Sequence, residues 1–133
     1  MIRAVRTLLA VAAVAAAVAC GGDEPQQARP SSPVTVSILE PEVGAVITGD
    51  TFRVEVDLKG GKIVEEVSRD LTPTTEGHLH VSVDGAILSQ TYGLTQTLDS
   101  PAPGKHLLQV EFVAKDHGPF NPRIIESAPF EVK

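Results

Sequence analysis

Two of the four histidines, His78 and His80, stand two residues apart in GHLHVSVDG, residues 77–85. On a β-strand, side chains at this spacing project from one face, roughly 6.5–7 Å apart at Cα. Such a pair can bind Zn²⁺ or Cu²⁺ when a third ligand comes from another part of the chain. The same side chains can instead cap the end of a sheet through hydrogen bonds to loop backbone. The fold that surrounds them therefore decides their chemistry.

The spacing of apolar residues predicts that both histidines lie on a strand. Leu79, Val81 and Val83 alternate with polar neighbours, and further runs after residue 33 show the same period of two, interrupted by Pro and Gly. This pattern is typical of an antiparallel sandwich. We therefore expect an all-β fold, an immunoglobulin-like antiparallel β-sandwich of about seven strands over residues 34–133. The expected strands are residues 34–39, 51–59, 78–84, 87–92, 94–99, 106–115 and 124–132.

The expected topology indicates which groups lie beside the two histidines. In such a sandwich the strand at 78–84 and the strand at 106–115 are antiparallel neighbours, so the start of one lies beside the end of the other. The loop after residue 115 supplies Asp116 and His117. The protein is expected either to need no cofactor or to bind a copper or zinc ion. The candidate ligands of that ion are His78, His80, Asp116 and His117.

His106 is expected to lie apart from these four residues. It shares the phase of the inward-facing Leu108, and it belongs at the opposite end of its strand, close to Asp84 and Gly85.

The loops at the end where His78 lies are candidates for recognition. Residues 60–77 form a long connection for a compact sandwich, and residues 115–123 form the loop beside it. Long loops are frequently functional. We expect a binding apex here that contains Glu76, Phe120 and Arg123. The alternative for Phe120 is that it plugs the end of the sandwich.

The first twenty residues have the layout of a lipoprotein signal. Arg3 and Arg6 precede an Ala/Val/Leu run at residues 8–19, which is shorter than an ordinary membrane span and is typical of a secretory signal. Cys20, the single cysteine, ends this run after Ala-Val-Ala. The arrangement resembles a lipobox, in which the cysteine sulfur receives a diacylglyceryl group and becomes residue one after cleavage.

We therefore expect a lipoprotein signal peptide over residues 1–19, lipidation at Cys20, and a disordered linker over residues 20–33. The linker sequence GGDEPQQARPSSP contains no apolar residue larger than Ala. The alternative is a secreted protein with a free cysteine, which is an unfavourable state in an oxidising compartment.

Charge and missing motifs narrow the classes of function. Cleavage before Cys20 leaves 9 basic and 17 acidic residues, a formal charge of −8, so nucleic acid is not an expected partner. The chain has no G-x-S-x-G elbow, phosphate loop or dinucleotide fingerprint. We therefore expect no catalytic residues and no enzymatic activity.

Three motifs carry a resemblance to a known group of proteins. They are Gly77-His78-Leu79-His80 with the following Asp84, Pro103-Gly104-Lys105-His106-Leu107-Leu108, and Asp116-His117-Gly118-Pro119. They resemble a bacterial family of small secreted immunoglobulin-like domains of unknown function, with the patterns G-H-x-H, P-G-x-H-x-L and D-H-x-P. The resemblance covers roughly residues 77–132. It implies the fold and an extracytoplasmic setting, and it implies no activity.

The sequence therefore favours a lipid-anchored cell-envelope protein that faces outside the cytoplasm and displays an immunoglobulin-like binding or structural module. Its expected partners are the membrane, through the lipid, and an envelope protein or polysaccharide. The alternative function is extracytoplasmic binding of Cu or Zn by the histidine cluster.

Overall fold

The computed structural model describes residues 28–91 and 93–133, and this part of the chain contains nine β-strands and no helix. The predicted signal peptide and Cys20 lie outside the described residues. The strands are β1 (Thr35–Glu40), β2 (Ala45–Ile47), β3 (Thr51–Lys59), β4 (Lys62–Ile63), β5 (Glu76–Val83), β6 (Ala86–Thr91), β7 (Thr95–Asp99), β8 (Gly104–Ala114) and β9 (Pro119–Val132).

Two sheets pack face to face. The smaller has the strand order β1-β3-β7, and the larger has the order β2-β9-β8-β5-β4, with β6 also paired to β5. Most pairs are antiparallel, whereas β2 runs parallel to β9 and β4 runs parallel to β5. This confirms the predicted all-β, immunoglobulin-like sandwich.

Alternating side chains explain why these segments form strands with one buried face. In β3, Phe52, Val54 and Val56 are buried whereas Arg53 between them is exposed. The branched or aromatic side chains suit a pleated surface that is covered on one side. The residues that are at most 2 % exposed at the centre of the core come from both sheets: Val54, Leu79, Val81, Leu108, Val110, Phe112, Ala114 and Phe120.

Seven of the nine strands overlap the predicted runs, and β2 and β4 are additional. The last strand begins earlier than predicted, because β9 starts at Pro119 and includes part of the expected loop at residues 115–123. These two strands contain three and two residues, so they are too short to show a period of two. Both form parallel pairs with strands that are distant in the chain, and sequence alternation gives no sign of such pairs.

Asp84-Gly85 forms the turn between β5 and β6. Both residues have positive φ, 51° and 84°, and Val83 pairs with Ala86 across the turn. Two consecutive left-handed residues match the right-handed twist of the strands, and Asp-Gly tolerates them well. Among residues 28–91 and 93–133, no helix is long and apolar enough to cross a membrane.

Candidate functional site

The β5–β8 ladder brings the predicted histidines to the loop that carries His117. Gly77 pairs with Ala114, and His80 pairs with Glu111. A Cβ atom at Gly77 would overlap the carbonyl oxygen of Val113 and would lie 3.0 Å from the ring of Phe112. The glycine of the G-H-x-H motif therefore lets β8 approach β5 closely.

A tight turn after β8 places the third imidazole. The amide of His117 donates to the carbonyl of Ala114 at 2.9 Å, and the amide of Ala114 donates to the carbonyl of Gly118 at 2.9 Å. His117 has φ 63°, which is unusual for a residue with a side chain and is tolerated best in turns. This conformation points the ring back toward β5.

The three imidazoles form a stack. The rings of His78 and His117 lie 4.3 Å apart and 9° from parallel, and those of His80 and His117 lie 5.4 Å apart at 15°. Nε2 of His80 lies 3.1 Å from Nδ1 of His117. Burial, followed by the mutual repulsion of the imidazoles, holds the pKa values of His80 and His117 below the ordinary value. The lowered pKa values favour the neutral forms of His80 and His117, in which one nitrogen of the pair donates and the other accepts.

His78 is completely buried, which the sequence prediction missed. Alternation placed it on the solvent side of its strand, but its side chain is inaccessible and its Nε2 donates to the carbonyl of Lys115 at 3.2 Å. The loop at residues 64–75 lies against the same carbonyl, because the amide of Ser68 donates to it at 3.2 Å. Nζ of Lys115 donates to the carbonyl of Thr72 at 2.8 Å and fixes this loop over the end of the sheet.

The carboxylate of Asp116 forms an ion pair with an arginine from the segment before β1. The guanidinium of Arg29 donates to both carboxylate oxygens, at 2.6 and 2.9 Å, and its Nε donates to the carbonyl of Pro119 at 2.6 Å. The hydrogen bonds from Arg29 hold the pKa of Asp116 below its usual range. The amide of Asn121 donates to the carbonyl of Pro30 at 2.9 Å, which adds a backbone contact.

These contacts change the predicted linker, residues 20–33. Arg29 and Pro30 belong to the folded unit, since Arg29 is paired with Asp116 in the loop after β8 and Pro30 accepts a hydrogen bond from the amide of Asn121 in β9. The pattern of small and polar residues gave no sign of this, because the partner carboxylate is 87 residues away in sequence.

The predicted metal set is therefore gathered only in part. Within the described ranges, no group of three or more His, Cys, Asp or Glu side chains is arranged to hold a metal ion. His80 and His117 present two nitrogens to each other, His78 donates to backbone, and Asp116 is paired with Arg29. Metal binding stays a prediction, and it rests on His80 and His117.

The three residues of the predicted binding apex have different surroundings in the structure. Phe120 is 1 % exposed and its ring lies 5.6 Å from that of Phe112 at 14°, so it plugs the sandwich and does not form a contact surface. Glu76 lies 3.7 Å from Nζ of Lys62 on the neighbouring strand β4. Of the three residues, Arg123 alone has a largely accessible side chain, 60 % exposed.

Arg123 lies over a carboxylate that the sequence prediction missed. It donates to both oxygens of Glu111, at 2.8 and 2.6 Å, and the side chain of Glu111 is only 11 % exposed. Glu111 alternates with the core residues Val110 and Phe112 of β8 and lies on the outer face of the sheet, and nothing in the sequence spacing indicates that Arg123 covers it. The pairing depends on the β8–β9 register, in which Glu111 lies opposite Ile125.

A groove of about 300 Å³ on the outer face of the larger sheet connects these groups. It contains the Glu111–Arg123 pair next to His80, so the histidine stack borders the groove at one end. Its polar side chains both donate and accept hydrogen bonds, and two isoleucines flank them. The lining residues are His80, Ser82, Gly85, Ile87, Gln109, Glu111, Arg123 and Ile125.

His106 lies at the other end of β8, as predicted. Its Nδ1 donates to Asp84 at 2.7 Å and its Nε2 donates to the carbonyl of Ala102 at 2.7 Å. These two hydrogen bonds raise the pKa of His106, because both nitrogens can donate only when the ring is protonated. The amide of Leu107 also donates to Asp84, so the P-G-x-H motif fastens the turn between β5 and β6.

The two sheets form an immunoglobulin-like sandwich. The chain is similar to the fibronectin(III)-like modules of CbhA from Clostridium thermocellum, with a TM-score of 0.53 and 17 % identity over 74 % of this chain and 96 % of that one. A second solved structure, an engineered protein, has a TM-score of 0.49 and 12 % identity over 75 % of this chain and 20 % of that one. No family model and no curated protein matches the chain significantly. At this identity the likeness to the CbhA modules shows the fold alone.

Proposed function

We propose that this protein is a lipid-anchored module of the cell envelope that binds or spaces other envelope components and catalyses no reaction. The observation that carries the proposal is a fibronectin(III)-like sandwich, similar to the CbhA modules, preceded in sequence by a charged and apolar leader that ends at Cys20. Acylation at roughly 0.8 kcal/mol per buried CH₂ makes two or three chains a firm anchor.

The outer-face groove supports a binding role at this site. It combines a half-exposed guanidinium, a carboxylate, an imidazole and an amide, and such a mixture suits a ligand rich in hydroxyl or amide groups. Its volume of about 300 Å³ is at the lower end of the range for small-molecule pockets. An envelope polysaccharide or the polar surface of an envelope protein fits this chemistry.

Replacement of Cys20 tests the anchor. We expect the unchanged chain to incorporate labelled palmitate and to enter the detergent phase, and Cys20→Ser to lose the label and move to the aqueous phase. Ser31→Cys combined with Cys20→Ser is the matched control, because it restores a thiol outside the lipobox and should not restore the label. Labelling that survives Cys20→Ser, or a wild-type protein found in the cytoplasm, would contradict the proposal.

A second function, binding of Cu²⁺ or Zn²⁺, is favoured by one distance. Nε2 of His80 and Nδ1 of His117 are 3.1 Å apart, and two nitrogen ligands of a tetrahedral zinc ion lie roughly 3.3 Å apart. A small movement of either ring would therefore let one ion replace the hydrogen bond. The remaining ligands would be water or groups from a partner.

Calorimetric titration with each metal tests this site. Saturable binding that is lost in both His80→Ala and His117→Ala is expected, with His106→Ala as the control because His106 lies at the other end of β8. Binding that persists in the two variants, or no binding to the unchanged protein, would remove the metal function and leave the anchored module intact.

A further inference from the structure

Both ring nitrogens of His106 face hydrogen-bond acceptors. Nδ1 lies 2.7 Å from a carboxylate oxygen of Asp84, and Nε2 lies 2.7 Å from the carbonyl oxygen of Ala102. A carbonyl and an ionised carboxylate can only accept, so each nitrogen must carry a hydrogen for both contacts to exist. A neutral imidazole carries a hydrogen on one nitrogen only. The geometry at His106 is therefore that of an imidazolium.

The two contacts join segments that are separate in the fold. Asp84 belongs to the turn between β5 and β6, whereas Ala102 belongs to residues 100–103, which lead from β7 of the smaller sheet to β8 of the larger one. Gly104 has φ 142°, a conformation that glycine adopts readily, and it turns the chain so that the carbonyl of Ala102 faces the ring of His106. We call Asp84, Ala102 and His106 the imidazolium clasp.

A cleft of about 500 Å³ lies between the two sheets beside this clasp. Leu88 of β6 and Leu98 of β7 line it from the two sheets. Asp84 borders it on the side of the β5–β6 turn, and Pro101 borders it on the side of residues 100–103. The clasp therefore connects the two segments that border the cleft.

The clasp holds the middle of the connection between β7 and β8. At its start the amide of Ser100 donates to the carbonyl of Asp50 at 2.8 Å, and at its end Gly104 pairs with Val132. Pro101 and Pro103 have no amide hydrogen to donate. The hydrogen bond from His106 to Ala102 therefore fixes the part of the connection that borders the cleft.

Charged side chains of the neighbouring elements lie around the ring. Asp84 faces it directly from the β5–β6 turn, and Asp99 at the end of β7 lines the same cleft as Asp84. Lys105 precedes His106 on β8, and in the β8–β9 register it lies opposite Glu131.

The strand β9 presents an aromatic ring to His106 itself. His106 lies opposite Phe130, and the two ring centroids are 5.5 Å apart. The hydrogen bond with Asp84, followed by that with the carbonyl of Ala102, raises the pKa of His106 above its ordinary value of 6.5.

We propose that the imidazolium clasp is a pH-sensitive switch, which holds residues 100–103 at the cleft while His106 is protonated and releases them when His106 is neutral. A neutral ring keeps its one hydrogen for Asp84, because a charged acceptor forms the stronger hydrogen bond. The contact with Ala102 is then lost, and the border of the cleft at Pro101 becomes free to move. The β5–β6 turn stays fastened, because the amide of Leu107 donates to Asp84 at 2.9 Å.

The pKa shifts give the direction of the switch. The pKa of His106 is raised in the folded state, so the stability that the clasp contributes is fully present below 6.5 and is lost as the pH rises through the folded-state pKa. The pKa of Asp84 is lowered, first by the hydrogen bond with His106, so its contribution is present above 3.8 and is lost as the pH falls through its folded-state pKa. The clasp is therefore complete between these two folded-state pKa values and opens at Ala102 on the alkaline side.

NMR titration of the full chain with Cys20→Ser tests the proposal, and this substitution prevents disulfide cross-linking of two molecules. In a series from about pH 5 to about pH 10, the Cε1–H resonance of His106 should titrate with a midpoint above 6.5. The carbonyl carbon of Ala102 and the amide of Gly104 should shift with the same midpoint. A neutral gadolinium chelate should relax the methyl protons of Leu98 faster above this midpoint, because the border of the cleft then moves.

Three variants separate the clasp from nearby charges. Asp84→Asn should move the midpoint of His106 down toward 6.5, because the carboxylate is lost. His106→Gln should abolish the alkaline shifts of Ala102 and Gly104. Lys105→Gln is the matched control, since it removes an exposed charge next to the ring and leaves both hydrogen bonds in place. Its midpoint should stay above 6.5.

The titration of the chain that carries only Cys20→Ser can overturn the proposal without any further variant. A His106 midpoint at or below 6.5 would show that the ring is not held as an imidazolium. A higher midpoint with constant Ala102 and Gly104 resonances, or with constant relaxation of Leu98, would also overturn it, because the ring would then lose its proton without releasing the border of the cleft.

Discussion

Replacement of Phe120 by alanine should destabilise the sandwich by about 3–5 kcal/mol. The residue occurs in the loop-like sequence HGPFNPR, where an aromatic side chain could equally serve as an exposed contact. In the structure it is 1 % exposed, and its ring packs on Phe112 at the end of the core. The predicted effect therefore falls on folding.

The magnitude follows from burial. A buried aromatic side chain removes roughly 150–250 Å² from water, and at roughly 25 cal/mol per Å² the lower figure gives about 4 kcal/mol. Loss of the ring contact with Phe112 adds about 0.5–1.5 kcal/mol to the loss of stability. Partial collapse of the structure into the cavity reduces that loss. The measured range for such truncations agrees with this estimate.

Urea unfolding of the variant checks this value. The midpoint should fall with little change in the dependence on denaturant, because the folded state keeps its extent. Val43→Ala is the control and should remain within about 0.5 kcal/mol of the unchanged protein, since Val43 is 74 % exposed. A loss below about 1 kcal/mol for Phe120→Ala would refute the reasoning. Phe120 would then have to be accessible in solution.

Two further substitutions test the motifs around the histidines. Gly77→Ala should lower the free energy of unfolding in urea by more than about 3 kcal/mol, because the added Cβ meets the backbone carbonyl of Val113. That carbonyl cannot move without breaking the β5–β8 ladder. A variant as stable as the unchanged protein would contradict the close approach of the two strands. Arg29→Ala should cost about 1 kcal/mol near neutral pH, a modest value because the Arg29–Asp116 pair is partly exposed. The pKa of Asp116 is lowered in the folded state, so this stabilisation is fully present above the ordinary value of 3.8 and is lost as the pH falls through the folded-state pKa. The difference between Arg29→Ala and the unchanged protein should therefore shrink in acid, and a constant difference would contradict the pairing.

The strands were predictable because their information is local. In β3 the alternation of Phe52, Val54 and Val56 with charged residues gives both the strand and its buried face. The Asp84-Gly85 turn is equally local, because two adjacent residues determine it. The short strands β2 and β4 could not be found in this way, since each exists only through a parallel partner that is distant in sequence.

The sequence predicts which residues of the candidate site lie close together, but it does not predict the burial or the partners of each side chain. Antiparallel pairing of β5 with β8 placed His80 next to His117 correctly. Alternation gives the face of the sheet on which His78 lies, but it cannot show that a loop covers that face. For the same reason, no sequence pattern indicates that Arg29 pairs with Asp116 or that Arg123 covers Glu111.

The parallel pairing of β2 with β9 has a mechanical consequence. Ala45 to Ile47 lie opposite Phe130 to Val132, and flanking hydrogen bonds at Gly44 and Lys133 extend the ladder. Tension between the N-terminal side of β2 and the C-terminal side of β9 acts along both strands and loads these hydrogen bonds together. A pull that begins ahead of Arg29 first meets the partly exposed Arg29–Asp116 pair, then the β1–β3 ladder, and finally this shear contact. The segment that precedes β2 would therefore extend at low force, and the β2–β9 hydrogen bonds would then resist further extension.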